Sequence, residues 1–253
     1  RALHSFPTRR PSELRTDRKR SEYGAYFHFL LLAKDLEGYH NLMKLSSLGY
    51  QEGFYYKPRI DKDILREHSK GLVGSSACLS SPINRMALMG TEEQLRSEIE
   101  DYNGIFEPGS FFLEIQDHGL KEQRDILEKI PPLAKEYGIP MIATNDVHYL
   151  EKEDARAQEI HLCINTGKTM EDDDRLRMHT SEFFFRNKEE MDCIFKDFPE
   201  AIENTVMIAE MCNLELDFSK THLPPFTIDK DEKEDDPEAY FLRLCRDGCR
   251  ERY

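Results

Sequence analysis

Asp146 and His148 are the residues whose types and spacing point most clearly to chemistry. They lie in the segment Asn145–His148, directly after a short apolar run that begins at Met141. In an extended segment, residues two apart project to the same side, so the carboxylate and the imidazole would share one surface while Val147 faces the core. One oxygen and one nitrogen donor on a common surface suit Zn²⁺, Mn²⁺ or Fe²⁺. The alternative is an aspartate that caps a turn beside a packed histidine, and so short a pattern does not decide between the two.

The chain before this pair predicts the element order strand, helix, strand. Residues 111–115 and 141–144 are apolar, strand-like runs, and residues 120–137 carry apolar side chains at helical spacing. We expect the helix to be interrupted at Pro131 and Pro132, because an internal proline removes a backbone hydrogen bond. In a βαβ unit, ligands collect at the carboxyl ends of the strands, which is where the carboxylate and imidazole pair lies.

Short blocks along the whole chain occur in an order that is typical of one protein family. In chain order they are YFHFLLLAK (26–34), NLMKL (41–45), GLVGSSACL (71–79), FFLEIQDHG (111–119), AKEYGIP (134–140), ATNDVHYL (143–150), PEAIENT (199–205) and MCN (211–213). These blocks resemble the PHP (polymerase and histidinol phosphatase) domain of the bacterial replicative DNA polymerases of family C. The resemblance extends over about residues 21–253, and the shared order makes it more specific than any single motif.

The resemblance implies a fold and a metal site. The fold is a distorted (βα)₇ barrel of α/β class, here without its first strands, with a metal cluster at the carboxyl ends of the strands. The implied ligands in this sequence are His28, Cys78, Asp146 and His148, and an intact site of this family would hold up to three Zn, Mn or Fe ions. On their own, Cys78 and His28 are equally consistent with small or packed core residues, since free cysteine is among the most buried residue types.

Two further residues are secondary candidates. Glu114 and His118 lie near the end of the strand predicted at 111–115. Either would act from behind the ligands, by orienting a ligand or the scissile phosphate.

We expect three parts in the chain. Residues 1–20 would be a non-native or disordered tract, because RALHSFPTRRPSEL has neither the H-x-H strand that opens a PHP domain nor a replacement for it. The alternative is a genuine disordered basic tail. Residues 21–222 would form the PHP domain, and residues 223–253 a linker and the first helix of the approach to the polymerase region. The polymerase site, with its own Mg²⁺, would lie outside this sequence.

Composition limits the partners of the chain. There are 35 basic and 49 acidic residues, for a net charge of −14. This argues against a surface that grips DNA by itself, since phosphate contacts rest on clustered Lys and Arg. DNA would therefore be held mainly by other domains, and the further partners implied by the resemblance are holoenzyme subunits such as the sliding clamp and the proofreading exonuclease. The six cysteines show no C-x-x-C spacing and no apolar run approaches ~18 residues, so we expect a cytoplasmic protein without a membrane span.

Three functions remain open from the sequence. The parent protein would be a DNA-directed DNA polymerase, with this part as a metal-dependent phosphoesterase of the 3′–5′ exonuclease type, incomplete and inactive in this chain. Alternatively, the domain is a non-catalytic scaffold that docks a proofreading subunit. A third possibility is a stand-alone phosphatase for a small phosphate ester, which the polymerase-like residues after Leu223 argue against.

Overall fold

The computed structural model describes residues 3–8, 15–16, 18, 26–221, 223–224, 226–229 and 236–253. The chain divides into two compact units, Arg1–Glu215 and Leu216–Tyr253. The candidate site residues all lie in the first unit, which is therefore described in more detail.

The first unit is built around a mixed five-stranded sheet. Its strands follow one another in space in chain order: β1 (Leu3–Thr8), β2 (Phe27–Ala33), β3 (Leu72–Ser75), β4 (Phe111–Ile115) and β5 (Met141–Ala143). Strand β2 runs antiparallel to both β1 and β3, whereas β3, β4 and β5 are mutually parallel. The structure confirms the α/β class but not the (βα)₇ barrel. The described strands form an open sheet, and an antiparallel β2 is not what a continuous βα repeat produces.

Helices cover both faces of this sheet. In the first unit they are α1 (Leu36–Gln51), α2 (Lys62–Glu67), α3 (Pro82–Met89), α4 (Glu92–Asn103), α5 (Lys121–Tyr137), a 3₁₀ turn (Lys152–Asp154), α6 (Ala155–Thr166), α7 (Lys188–Ile194) and α8 (Pro199–Met211). Because successive strand residues face opposite sides, Phe111 and Leu113 enter the larger core while Phe112 packs with Ile208 of α8. Strands β3 and β4 are thus buried on both sides, whereas alternate residues of β2 are only partly buried.

Helix α5 corrects one expectation. It runs unbroken from Lys121 to Tyr137 and includes Pro131 and Pro132. Its inner face is buried against the core on both sides of the prolines, through Ile126, Ile130, Leu133 and Ala134. This packing outweighs the hydrogen bonds that the prolines remove, an example of tertiary context overriding local preference.

Strand β1 (Leu3–Thr8) lies inside the tract 1–20, which we expect to be non-native or disordered. Its backbone pairs with β2 along six residues, from Leu3 with Leu32 to Thr8 with Phe27. Without it, β2 would present a row of unpaired backbone groups at the edge of the sheet. That residues 1–20 are non-native or disordered stays a prediction.

The second unit contains α9 (Pro237–Arg252), which lies within the range 223–253 where we expected a linker and a helix. Asp236 caps this helix by accepting a hydrogen bond from the backbone N–H of Ala239. Among the residues that the structure describes, no helix is both long and apolar enough to cross a membrane.

Candidate metal centre

The strand directions bring the predicted ligands to one edge of the sheet. His28 lies at the start of β2, and Cys78 follows the end of β3 by three residues. Because these two strands are antiparallel, with Leu30 opposite Ser75, the beginning of β2 meets the end of β3. Asp146 and His148 follow the end of β5, which is parallel to β3 through β4. All four side chains therefore start from the same edge.

His28 and Cys78 form the first donor pair. The Nδ1 atom of His28 lies 3.6 Å from Sγ of Cys78. The loop that carries the thiol is held by Asn84, whose side-chain amide donates to the carbonyl oxygens of Ala77 and Cys78 at 3.3 and 3.0 Å. Ala77 has a φ of 54°, a left-handed conformation that an L-residue adopts only when its surroundings enforce it. The position of Cys78 is thus fixed by the loop.

Burial governs the ionisation of this pair. It raises the pKa of the Cys78 thiol, and the nearby Asp146 and Glu114 carboxylates raise it further. Burial likewise lowers the pKa of His28, helped by the positive charge of Lys57. A neutral imidazole is ready to bind a metal, whereas the thiol would first have to lose its proton.

Asp146 and His148 form the second donor pair. Oδ1 of Asp146 lies 3.5 Å from Nε2 of His148, and both side chains are about two-fifths exposed. The pKa of Asp146 is lowered chiefly by its interaction with His148, and the pKa of His148 is raised by the same interaction. The backbone N–H of His148 donates to the carbonyl oxygen of Phe183 at 2.8 Å, which ties the pair to the segment 183–186.

The spacing within each pair suits one shared ion. Tetrahedral zinc has Zn–S distances of about 2.3 Å and Zn–N or Zn–O distances of about 2.0–2.2 Å, so a shared ion would separate an S,N pair by about 3.6 Å and an O,N pair by about 3.4 Å. The observed separations are 3.6 Å for Cys78 with His28 and 3.5 Å for Asp146 with His148. In the part of the chain that the structure describes, however, no three such side chains are grouped to hold an ion. The residues therefore fit a metal as two pairs, not as one closed site.

Glu114 and His118 lie behind these pairs. The Glu114 carboxylate is buried and accepts hydrogen bonds from the hydroxyls of Ser75 and Thr144 and, at 3.1 Å, from the amide of Gln116. It thus ties the ends of β3, β4 and β5 together. His118 is completely buried beside the segment that carries Asp146.

Sequence reasoning missed the residues that hold the Asp146–His148 segment in place. Gln123 in the first turn of α5 contacts His118, and Arg186 donates to the side chain of Asn145 at 3.3 Å. Gln123 lies in helix α5, 22 residues before Asn145 in the chain, and Arg186 lies in a loop, 41 residues after it. No local spacing rule connects Gln123 or Arg186 with Asn145. Once burial is known, Arg186 does stand out, because a buried arginine has to be paired.

The pH dependence of the second pair is predictable for the metal-free chain. The raised pKa of His148 and the lowered pKa of Asp146 leave both groups charged between their ordinary values of 3.8 and 6.5. The stabilisation from this ion pair is lost as pH rises through the raised pKa of His148, and also as pH falls through the lowered pKa of Asp146.

A ¹H–¹⁵N titration of the chain with chelator present measures this pairing. We expect the pKa of His148 to lie above 6.5, and we expect Asp146→Asn to lower the pKa of His148. Asp197→Asn, an exposed carboxylate elsewhere, should leave it unchanged, and a value at or below 6.5 in the unmodified chain would contradict the pairing.

Comparison with known proteins agrees with the resemblance. Residues 11–118 match the PHP domain family. The chain is 45% identical to DNA polymerase III subunit alpha of Borreliella burgdorferi over 203 residues, covering 80% of this chain and 18% of the relative. It is 39% identical to the subunit of Treponema pallidum over 242 residues (95% and 20%) and 42% identical to that of Thermus aquaticus over 240 residues (92% and 19%). The chain is thus homologous to DNA polymerase III alpha subunits and spans about one fifth of their length.

Proposed function

We propose that this chain serves as the PHP-domain part of a replicative DNA polymerase alpha subunit in the bacterial cytoplasm. The support is its similarity to proteins named DNA polymerase III subunit alpha, which covers up to 95% of the chain. In this proposal, DNA-directed DNA synthesis with Mg²⁺ belongs to the rest of such a protein. Contacts with primer-template, sliding clamp and proofreading exonuclease would also be made largely by that remainder, because the net charge of −14 leaves this segment poorly suited to grip DNA.

For the segment itself, we propose a metal-binding site of the phosphoesterase type formed by His28, Cys78, Asp146 and His148. The observation that carries this proposal is the spacing of the two donor pairs, which equals the separation of two ligands on one tetrahedral ion within about 0.1 Å. A bound Zn, Mn or Fe ion would supply polarisation of a phosphodiester and a hydroxide for in-line attack. The protein's own part is to hold the donors at the strand ends and to release the proton of the Cys78 thiol.

A scaffold without catalysis is the second candidate. It is favoured by one observation, namely that the described donors form two pairs and no group of three. The first pair would then be a packed thiol and imidazole, and the second an ion pair. A stand-alone phosphatase is disfavoured, because the similarity to polymerase subunits covers nearly the whole chain.

Cobalt and zinc titrations test the proposal. We expect Co²⁺ to produce a thiolate-to-cobalt absorption band in the unmodified chain, because a cysteine ligand gives up its proton to the metal. Cys78→Ser should abolish the band, and Asp146→Ala should weaken Zn²⁺ affinity in calorimetry by about 10-fold or more, as expected for loss of a ligand. Cys193→Ser removes an exposed thiol and is the matched control. No band and no zinc binding would leave the scaffold as the function of this segment.

Nuclease activity should be absent even if metal binds. The sequence shows no H-x-H strand, and the described donors do not close a multi-metal site. We therefore expect 3′–5′ degradation of a labelled oligonucleotide with Mn²⁺ to equal that of an Asp146→Ala/His148→Ala double variant. A rate well above this control would show that the segment is catalytic as it stands.

A further inference from the structure

His118 is the most deeply buried ionisable group near the candidate site. None of its surface is exposed, and its ring stacks on Phe183 with centroids 4.4 Å apart and planes 11° apart. A buried imidazole must have both ring nitrogens satisfied, so its neighbours reveal which nitrogen carries the proton.

Gln123 determines the tautomer. The backbone N–H of His118 donates to Oε1 of Gln123 at 2.7 Å, which fixes the orientation of the side-chain amide. The NH₂ group of the same amide therefore faces Nδ1 of His118, at 2.8 Å, and donates to it. Since Nδ1 accepts, the proton of the neutral ring lies on Nε2. Burial lowers the pKa of His118, in keeping with a neutral ring.

The Nε2–H group of His118 faces the residue before Asp146. It lies 3.1 Å from Oδ1 of Asn145 and donates to that oxygen. The backbone N–H of Asp146 also points at this ring nitrogen, from 3.3 Å. An Nε2–H group cannot accept from that donor, so the shorter contact with Asn145 is the hydrogen bond that the neutral Nε2–H ring makes.

Asn145 is fixed from the other side as well. Its amide donates to the carbonyl oxygen of Phe184 at 2.6 Å, and Arg186 donates to its Oδ1 at 3.3 Å. Arg186 in turn donates to the carbonyl oxygen of Asp117 and to Glu182. The side chain of Asn145 therefore links the end of β4, through His118, to the segment 183–186.

We propose that His118, held in its Nε2–H tautomer by Gln123, is a positioning residue for the segment that carries Asp146 and His148. It acts through Asn145, and it fixes the direction in which the chain leaves β5. The consequence for metal affinity rests on the proposed function, whereas the tautomer and the ordering of the segment do not.

Gln123→Glu tests the role of the tautomer. A carboxylate can still accept from the backbone N–H of His118, but it cannot donate to Nδ1, so a proton must move onto Nδ1. Imidazole ¹⁵N spectra of the metal-free chain should show the Nε2–H tautomer for His118, and Gln123→Glu should show Nδ1 protonated. Amide hydrogen exchange over residues 145–148 should become about 10-fold faster in the variant if one hydrogen bond of ordinary strength is lost. Gln51→Glu, an exposed glutamine on α1, is the matched control.

Asn145→Ala separates positioning from folding. It removes the acceptor but leaves Gln123, so the Nε2–H tautomer should persist while exchange over residues 145–148 still accelerates. If the unmodified chain carries the proton on Nδ1, or if neither variant alters that exchange, the proposal is overturned. Zinc affinity should fall about 10- to 100-fold in both variants. Absence of zinc binding in the unmodified chain would refute the metal site alone, since the ¹⁵N and exchange readings are made without metal.

Discussion

Replacing Lys62 by Met should destabilise the first unit by about 3–5 kcal/mol, the usual cost of removing one partner from a buried ion pair. The Lys62 side chain is only 4% exposed and pairs with Glu98, itself 7% exposed, at 3.1 Å. It also contacts Asp101 at 3.0 Å and lies 4.3 Å from the ring centre of Tyr102. Methionine retains most of the apolar stem of lysine, so the loss of stability measures the contribution of the lysine charge. Without the ammonium group, the buried Glu98 carboxylate loses this ion pair.

Urea unfolding followed by circular dichroism measures this effect, because the chain has no tryptophan to serve as a fluorescent probe. Lys70→Met is the control: Lys70 is 68% exposed and pairs with Glu37, so its loss should cost no more than about 1 kcal/mol. A double variant, Lys62→Met with Glu98→Gln, should recover part of the stability by removing the buried carboxylate. A loss below about 1 kcal/mol for Lys62→Met alone would mean that Glu98 is adequately stabilised without the lysine.

Local sequence signals predicted the parts of the fold that local physics determines. The apolar runs at 111–115 and 141–144 appear as β4 and β5. Helix α4 begins with a capping box, in which Thr91 and Gln94 bond to each other's backbone. In each case the deciding interactions lie within one element or one turn. The helix through Pro131 was misjudged because the packing that sustains it comes from distant residues.

In the candidate site, too, local sequence signals predicted some features, whereas others depend on residues that are distant in the chain. The spacing of two predicted that Asp146 and His148 share one surface, and their side chains do lie 3.5 Å apart. The same argument placed Val147 in the core, which is wrong, because Val147 is 39% exposed. That His28 meets Cys78 follows from the antiparallel direction of β2, which no local pattern reveals, and in the sequence the pairing rested on a family resemblance. The supporting contacts of His118 with Gln123 and Asn145 depend on how α5 returns to the sheet, so they emerge only from the fold.

Replacing Phe29 by Ala should cost about 3–5 kcal/mol, the range for truncating a buried aromatic residue. Phe29 is fully buried next to His28 in β2, and its ring stacks on Tyr102 with a centroid distance of 4.6 Å. The rings of Phe106 and Phe111 lie 5.9 and 6.3 Å away in nearly parallel planes. This aromatic cluster joins β2 to β4 and to α4, so the cavity would open directly behind the strand that carries His28. Neighbouring rings cannot close it without shifting the sheet.

Phe218→Ala makes the same chemical change at a position that is 89% exposed and should alter the stability by less than about 0.5 kcal/mol. Phe29→Leu, which refills part of the space, should lie between the two. Metal binding gives a second measurement: because Phe29 supports the strand of His28 and not the loop of Asp146, the truncation should weaken the cobalt–thiolate band of the first pair while the His148 pKa in the metal-free chain stays raised. Loss of both signals at a denaturant concentration where the chain is still folded would show that the two donor pairs are one cooperative unit.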